Sequence, residues 1–137
     1  MGKNIEIGQR ALLLLGRGLL GLYFIVPGIS KITDWSGNAA YMAAHDVPLI
    51  PFLLAVTIIV QVGGGASLLA GYRTQLMGFI LAGLTIVINV YMHDFWNVEE
   101  AVQQAHETQN FIKNLAIAAG LMYVAGVSAA PPEANKT

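Results

Sequence analysis

A few polar side chains interrupt long apolar stretches of this sequence, and their spacing is helical. Asn89 and His93 stand one helical turn apart, with Asp94 and Trp96 shortly after them. Residues four positions apart share a helix face, so the amide and the imidazole can together hold a carbonyl or a hydroxyl group. An imidazole in such a place exchanges protons near neutral pH. This pattern predicts a site for a small oxygen-bearing ligand.

A second stripe combines charged and small residues. Its members follow at steps of four, three, four and three: Arg17, Gly21, Phe24, Gly28 and Lys31. Lipid tails offer no partner to a charge, and glycines let helices approach closely, so the stripe is predicted to face neighbouring helices. The alternative is that Arg17 and Lys31 only extend to the two membrane interfaces along their alkyl stems.

The apolar stretch over 49–70 contains one strongly polar residue, Gln61. Small residues follow it, namely Gly63, Gly64, Gly65 and Ser67. Gly63 and Ser67 fit the small-xxx-small pattern, which predicts close helix packing rather than a ligand site. Either Gln61 or a backbone carbonyl is the expected partner of Arg17.

A fourth stretch opens with Asn110, Lys113 and Asn114, which the alternation of helices places level with Lys31 and His93. The sequence therefore predicts a polar pocket with His93 and Lys31 as catalytic groups. Its predicted ligand-binding residues are Arg17, Gln61, Asn89, Asp94, Trp96, Lys113 and Asn114. Charges at this depth are costly unless paired, so Asp34, Asp46 or Asp94 is expected to neutralise the two lysines.

Two other interpretations of these polar residues remain open. They can form a polar cap that satisfies helix ends and lipid headgroups, with the aromatic residues as an interfacial belt. The three histidines, His45, His93 and His106, are of a type that binds metal ions. No ligand spacing such as H-x-x-x-H supports that reading, so no metal site is predicted.

Composition identifies the elements that must position these residues. Of the 137 residues 55% are hydrophobic and only 11% are charged, which indicates lipid rather than water as the solvent. Four apolar runs approach the roughly 20 residues that a membrane-spanning helix needs. We predict an all-α, four-helix membrane bundle with spans at about 10–32, 49–70, 75–94 and 109–127. A short interfacial helix over 36–45 and a disordered tail over 129–137 complete the prediction.

Several classes of protein are disfavoured by the same composition. The chain has no cysteine, which excludes disulfides and thiol catalysis, and its formal net charge of -1 argues against a nucleic-acid partner. Lys3 and Arg10 precede the first run as in a secretory signal. That run is too long for a signal core and lacks a cleavage site, so it is interpreted as the first span.

Charge asymmetry predicts the orientation in the membrane. With four spans the two termini share a side, and that side carries mostly basic residues: Lys3, Arg10, Arg73 and Lys136 against Glu6 and Glu133. The other side carries Lys31 and Lys113 against six acids. Basic residues in short loops stay in the cytoplasm, so both termini are predicted to be cytoplasmic. In a bacterium the acidic side would face the periplasm.

The order and separation of several motifs resemble those of the DoxX family of small four-helix bacterial membrane proteins. The matching residues are Arg17 with Gly21-Leu22-Tyr23-Phe24, Gly28-x-x-Lys31, Tyr41-Met42 before a proline, the small residues after Gln61, Gly71 with Arg73, His93-Asp94-Phe95-Trp96, and Asn110-Phe111-Ile112-Lys113-Asn114. The resemblance covers nearly all of 14–126. Two differences are the glutamine at position 61, where the family often has glutamate, and the absence of a Gly-x-Gly segment followed by Leu-Asp.

The resemblance implies a component of a bacterial inner-membrane redox system, associated with quinone or thiosulfate oxidation. We expect the pocket to accept a quinone-like or small phenolic molecule, with His93 and Lys31 polarising its oxygens and Trp96 or Phe95 stacking on its ring. No flavin or nicotinamide fingerprint is present, so electrons would require the bound quinone, a metal or a partner protein. The alternative is a non-catalytic membrane anchor of a redox complex. Glycine-lined helix faces predict a homo-oligomer.

Overall fold

The chain is built from helices alone over residues 2–129, which a computed structural model describes, with side chains described from residue 4. The elements in chain order are α1 Gly2–Thr33, α2 Trp35–Ala44, α3 Ile50–Ala70, α4 Thr74–Met92, a 3-10 turn Phe95–Asn97, and α5 Ala101–Ala129. No strand occurs in this range, and the predicted all-helical fold is confirmed. The part of the predicted disordered tail that follows Ala129 lies outside the described residues.

Four of the helices, α1, α3, α4 and α5, are long and apolar enough to cross a membrane. The shortest of them is α4, with 19 residues, whereas α3 has 21 and α1 has 32. At about 1.5 Å per residue α3 is about 31 Å long, which matches the hydrocarbon thickness of a bilayer. Because four spans follow one another along the chain, the start of α1 and the end of α5 lie at the same end of the bundle.

The α3–α4 connection is a tight helical hairpin. Gly71 adopts a left-handed conformation with φ of 74° and donates its N–H to the Leu68 carbonyl at 3.2 Å. Tyr72 donates its N–H to the Ser67 carbonyl at 2.8 Å. These two bonds satisfy the last carbonyls of α3 and reverse the chain. Helices α3 and α4 are therefore antiparallel neighbours.

Helix α2 is fastened to the other end of the bundle, which we call the α2 end. The Asp34 carboxylate accepts the Gly37 N–H at 3.1 Å and caps the start of α2. The Tyr41 hydroxyl donates to the Met92 carbonyl at 3.2 Å, where α4 finishes. His45 Nδ1 lies 3.3 Å from an Asp94 carboxylate oxygen. The polar segment between the first two spans is thus tied to the end of the third.

Glycines set the distance between α1 and α3. A Cβ on Gly21 would lie 2.7 Å from the Gly65 carbonyl oxygen, and one on Gly65 would lie 2.6 Å from the Gly21 oxygen. The two backbones touch, which only glycine permits. Gly78 of α4 similarly lies against the Leu121 carbonyl of α5, 3.1 Å from an added Cβ. The bundle is therefore two closely packed pairs, α1 with α3 and α4 with α5.

Helical spacing correctly identified the inward face of α1. Gly21, Phe24 and Gly28 are buried, while Arg17 and Lys31 at the ends of the stripe are partly buried. In α3 the buried glycines are Gly64 and Gly65, whereas Gly63, which the small-xxx-small pattern singles out, is exposed with open space around it. The glycine run does pack against other helices, but with a different pair of its members.

Candidate binding cavity at the α2 end

A cavity of about 630 Å³ lies between the spans, beneath α2. Its apolar lining includes Phe24, Leu54, Leu84, Ile88 and Ile117, and its polar lining includes Lys31, Gln61, His93, Lys113 and Asn114. Ligand pockets typically enclose about 300–1,000 Å³ and combine an apolar wall with a few convergent polar groups. Five of the nine predicted site residues line this one cavity.

His93 stands where α4 ends and is held by a carboxylate. Its Nδ1 lies 2.7 Å from Oε2 of Glu107 in α5, and both side chains are partly buried. A carboxylate at Nδ1 favours the tautomer that carries its proton there, which leaves Nε2 as the nitrogen for a ligand. Neutral His93 can thus accept a proton from a hydroxyl, and protonated His93 can donate one to a carbonyl.

Lys31 and Lys113 line the cavity from α1 and α5. Within residues 4–129 the only carboxylates within 4.0 Å of a basic side chain are those paired with His45 and His93. The expected neutralisation of the lysines by Asp34, Asp46 or Asp94 is therefore wrong. Asp34 caps α2 instead, and Asp94 pairs with His45 and accepts the Asn97 amide at 2.9 Å. The two ammonium groups remain available to a ligand oxygen.

A chain of hydrogen bonds crosses the bundle along one wall of the cavity. The Tyr23 hydroxyl donates to Asn114 Oδ1 at 3.2 Å, and Asn114 Nδ2 donates to Asn89 Oδ1 at 3.1 Å. Asn89 in turn donates to the Phe111 carbonyl at 3.0 Å. Asn89 is only 1% exposed and does not line the cavity. Asn89 instead orients Asn114, which lines the cavity.

Gln61 is a buried amide whose oxygen lacks a donor. Its side chain is 6% exposed and lines the cavity, and its Oε1 has no hydrogen-bond partner among the described residues. It lies beside Gly28, since a Cβ on that glycine would come 3.2 Å from Gln61 Cβ. Leaving a buried polar atom unpaired costs about 1–3 kcal/mol. A ligand hydroxyl would supply the missing donor.

Arg17 lies near the middle of α1, beside the α3–α4 hairpin at the other end of the bundle. A Cβ on Gly71 would lie 2.8 Å from an Arg17 guanidinium nitrogen, so the side chain covers the turn after α3. Arg17 and Gly28, the neighbour of Gln61, are eleven residues apart in one helix, or about 16 Å at 1.5 Å per residue. The structure therefore does not bring Arg17 to Gln61 or to the cavity.

Trp96 and Asp94 also lie outside the cavity lining. Trp96 packs edge-on against Phe95 and Phe111, with ring centroids 5.2 Å and 5.8 Å away. This aromatic cluster covers the short turn between α4 and α5. The aromatic rings that do border the cavity belong to Tyr23, Phe24, Tyr41 and Tyr91.

Sequence reasoning missed several lining residues because it treated tyrosines as interfacial. Tyr23 shares the spacing Tyr23, Pro27, Lys31, so the same helical criterion would have found it. The spacing Glu107, Asn110, Asn114 would likewise have found Glu107, which does not line the cavity but holds His93. Tyr41 sits in α2 above the cavity. Burial raises the pKa of its hydroxyl, and the charges of Glu107 and Asp94 raise it further, so it stays a proton donor.

Within residues 2–129 no three His, Asp or Glu side chains come together as metal ligands do. His93 with Glu107 and His45 with Asp94 are two separate pairs on either side of the end of α4. The arrangement suits proton transfer and hydrogen bonding to an organic ligand.

Comparison with known proteins gives a consistent relationship. The DoxX family model matches residues 12–94. The inner membrane protein YqjF of Escherichia coli is 34% identical over 112 residues, which cover 82% of this chain and 80% of the relative. The inner membrane protein YphA of the same organism is 26% identical over 115 residues, with 83% and 81% covered.

A third relative carries a functional name. It is the Bacillus subtilis protein called "Putative oxidoreductase CatD", 30% identical over 87 residues, which cover 64% of this chain and 60% of the relative. No solved structure matches this chain.

Proposed function

The chain belongs to the DoxX family and is a multi-pass inner-membrane protein, and from this premise we propose that its cavity binds the ring of a quinone-like or small phenolic molecule. The protein would serve as the quinone-handling component of a membrane redox system. One relative named as an oxidoreductase supports the redox class. The ligand itself is inferred from the cavity.

One observation carries this proposal: two lysines that have no carboxylate partner among residues 4–129 and a carboxylate-bound histidine border one largely apolar cavity. An apolar wall suits a carbon ring, and Lys31, which is partly buried, offers an ammonium group that is a strong donor to a ring oxygen. An anion would satisfy the lysines as well, but it would gain nothing from the apolar wall. A ring that carries two oxygens uses both parts of the lining.

His93 and Glu107 suit the proton half of quinone chemistry. A quinone gains protons as it gains electrons, and a hydroquinone loses both. His93 held at Nδ1 by Glu107 can donate from Nε2 to the oxidised ring or accept from the reduced ring. The chain carries no fingerprint for a flavin or nicotinamide, so a partner protein would exchange the electrons.

Binding of menadione, a naphthoquinone without a long tail, tests the proposal. The purified protein should bind it, and His93→Ala or Lys31→Met should weaken the affinity about tenfold, the equivalent of about 1.4 kcal/mol. His106→Ala is the matched control, because His106 is exposed and does not line the cavity. Menadione binding that is absent, or unchanged in both cavity variants, would disprove the proposal.

A second candidate function, a membrane anchor for a redox complex, is favoured by the shape of α1. Since Arg17 meets the turn after α3, residues 2–16 extend past the end of α3, and Leu12 to Leu15 are more than half exposed. An apolar segment that no other helix of this chain covers can face lipid or pack against a helix of a second membrane protein. Loss of a co-purifying redox protein on Leu12→Ser, with menadione binding intact, would support it. A complex that survives the substitution would argue against it.

A further inference from the structure

Beyond the ring-binding role, and resting on it, we propose that the cavity opens sideways between α3 and α4 into the membrane and that its ligand is a quinone with a hydrocarbon tail lying in this opening. The tail would leave the bundle between Val56 of α3 and Val87 of α4. The ligand would therefore enter from the lipid phase.

The position of Val87 is the first observation that supports a side opening between α3 and α4. Thr85 and Asn89 of α4 are both buried in the bundle, and Val87 lies two residues from each, about 200° around a helix of 3.6 residues per turn. Val87 therefore points away from the buried face and is 55% exposed. It nevertheless lines the same cavity as Lys31 and Asn114. The cavity must continue past the flank of α4 to the lipid-facing surface.

Helix α3 shows the same relationship. Leu54 is buried, whereas Val56, two residues on, is 36% exposed, and both line the cavity. Val56 and Val87 are aliphatic, and the space between the two helices is bordered by Leu53, Leu84 and Ile88. An opening lined in this way favours a hydrocarbon chain over a polar substituent.

The opening does not extend as far as the α3–α4 hairpin. Nearer the hairpin, the side chain of Leu81 lies against Gly64, 3.1 Å from the position of an added Cβ, so α3 and α4 are in close contact there. Towards the α2 end no side-chain hydrogen bond joins α3 to α4 in the part of the chain that is described. On the opposite side of the bundle, the bond between Tyr23 and Asn114 joins α1 to α5, and the exposed lining residues there, Tyr23 and Lys113, carry polar groups. The exposed lining residues Val56 and Val87 make the α3–α4 side the one that suits a hydrocarbon tail.

Most of the polar lining lies at the α2 end of the cavity, and Gln61 is a polar lining residue that lies deeper in α3 than Val56. Lys31, His93 and Asn110 lie towards the α2 end, near the membrane surface, and Val56 and Val87 lie within the spans. A quinone entering from the bilayer would place its ring oxygens against the polar groups and keep its tail in lipid. No part of the molecule would have to cross water.

The test compares two ligands with the same ring, menadione and a naphthoquinone that carries a geranyl tail, on the full chain in lipid nanodiscs. The double variant Val56→Trp, Val87→Trp narrows the opening. We expect it to weaken binding of the tailed ligand about tenfold or more, or about 1.4 kcal/mol, and to leave the menadione affinity nearly unchanged. Val90→Trp is the control, since Val90 is exposed on the same helix but does not line the cavity.

The outcomes separate this inference from the function on which it rests. If the wild-type protein binds neither ligand, both proposals are wrong. If menadione binds and the double variant keeps full affinity for the tailed ligand, only the side opening is wrong. Because the chain has no cysteine, Val87→Cys offers a second measurement. The tailed quinone should slow maleimide labelling at this position, whereas 2,3-dimethyl-1,4-naphthoquinone, which replaces menadione here because it has no free ring position for a thiol to add to, should not. Equal labelling rates with the two ligands would contradict the opening.

Discussion

Gln61 is the residue at which stability and binding are most clearly opposed. A buried amide oxygen without a donor destabilises the empty bundle, yet the same oxygen can hold a ligand hydroxyl. A polar group kept at a structural cost is typical of a functional site. Its neighbour Gly28 allows α1 to come close, so the amide has little room to turn away from the cavity.

Gln61→Leu should therefore make the empty protein more stable and a poorer binder. Leucine has a similar volume and removes the unpaired oxygen, so we expect the free energy of unfolding to rise by about 1 kcal/mol. Affinity for a hydroquinone should fall about tenfold, since one hydrogen bond of about 1.4 kcal/mol is lost. Denaturant unfolding in detergent and ligand titration measure the two quantities.

Gln109→Leu is the matched control for this substitution, because Gln109 is exposed on α5 and does not line the cavity. It should change neither measurement. A Gln61→Leu protein that is less stable than the wild type and binds equally well would show that the amide has a packing role instead.

Among the helices, the α1–α3 contact depends most on residue size. Gly65→Ala should lower the free energy of unfolding by about 1–3 kcal/mol, the usual cost of overpacking, because its Cβ would lie 2.6 Å from the backbone oxygen of Gly21 in α1, which a side-chain rotation cannot relieve. Gly63→Ala, two residues away, has open space and should be nearly neutral. Thermal unfolding of the two variants in detergent makes the comparison. Equal effects would mean that the two helices are not in backbone contact.

The start of α5 should respond to acid through Glu100. Its carboxylate accepts the Gln103 N–H at 2.7 Å and the Val102 N–H at 3.0 Å, and these bonds hold its pKa below the ordinary value of 4.5. Because the folded-state pKa is lowered, the stabilisation is present above pH 4.5 and is lost as the pH falls through the folded-state pKa. Below that point the first turn of α5 should fray.

Hydrogen-exchange protection at the amides of Val102 and Gln103, corrected for the intrinsic pH dependence of exchange, checks this prediction. Glu100→Gln should show weak protection at every pH. Glu99→Gln, at the exposed neighbouring position, should behave as the wild type does. Protection that stays constant through the acid range in the wild type would mean that Glu100 does not cap the helix.

At the scale of elements, helix number was predictable and helix relationships were not. Long apolar runs identify spans because the bilayer requires a minimum length. They do not predict the axial register between α1 and α3. This register separates Arg17 from Gln61. The polar start of α5, Ala101 to Gln109, carries no apolar signal and is helical because Glu100 caps it and the chain continues into the span.

For the whole molecule, the convergence of Lys31, His93, Lys113 and Asn114 was predictable because alternating spans place them at one end, whatever the register. The role of Asn89 was not, since its amide lies one side chain behind the cavity. Counter-ions were assigned wrongly to the lysines because the aspartates have other partners, the Gly37 N–H for Asp34 and both Asn97 and His45 for Asp94.

Orientation in the membrane is a property of the whole molecule, and we predict that the α2 end faces the periplasm. Arg10, Arg17 and Arg73 lie towards the other end, whereas the α2 end carries six acids, and basic residues in short connections remain in the cytoplasm. The cysteine-free chain permits a direct measurement with Glu99→Cys and Tyr72→Cys, both at exposed positions. A membrane-impermeant maleimide added to cells with a permeabilised outer membrane should label position 99 at once and position 72 only after lysis. The reverse pattern would place the α2 end, with the polar groups of the cavity, on the cytoplasmic side, and the ring would then exchange its protons with the cytoplasm.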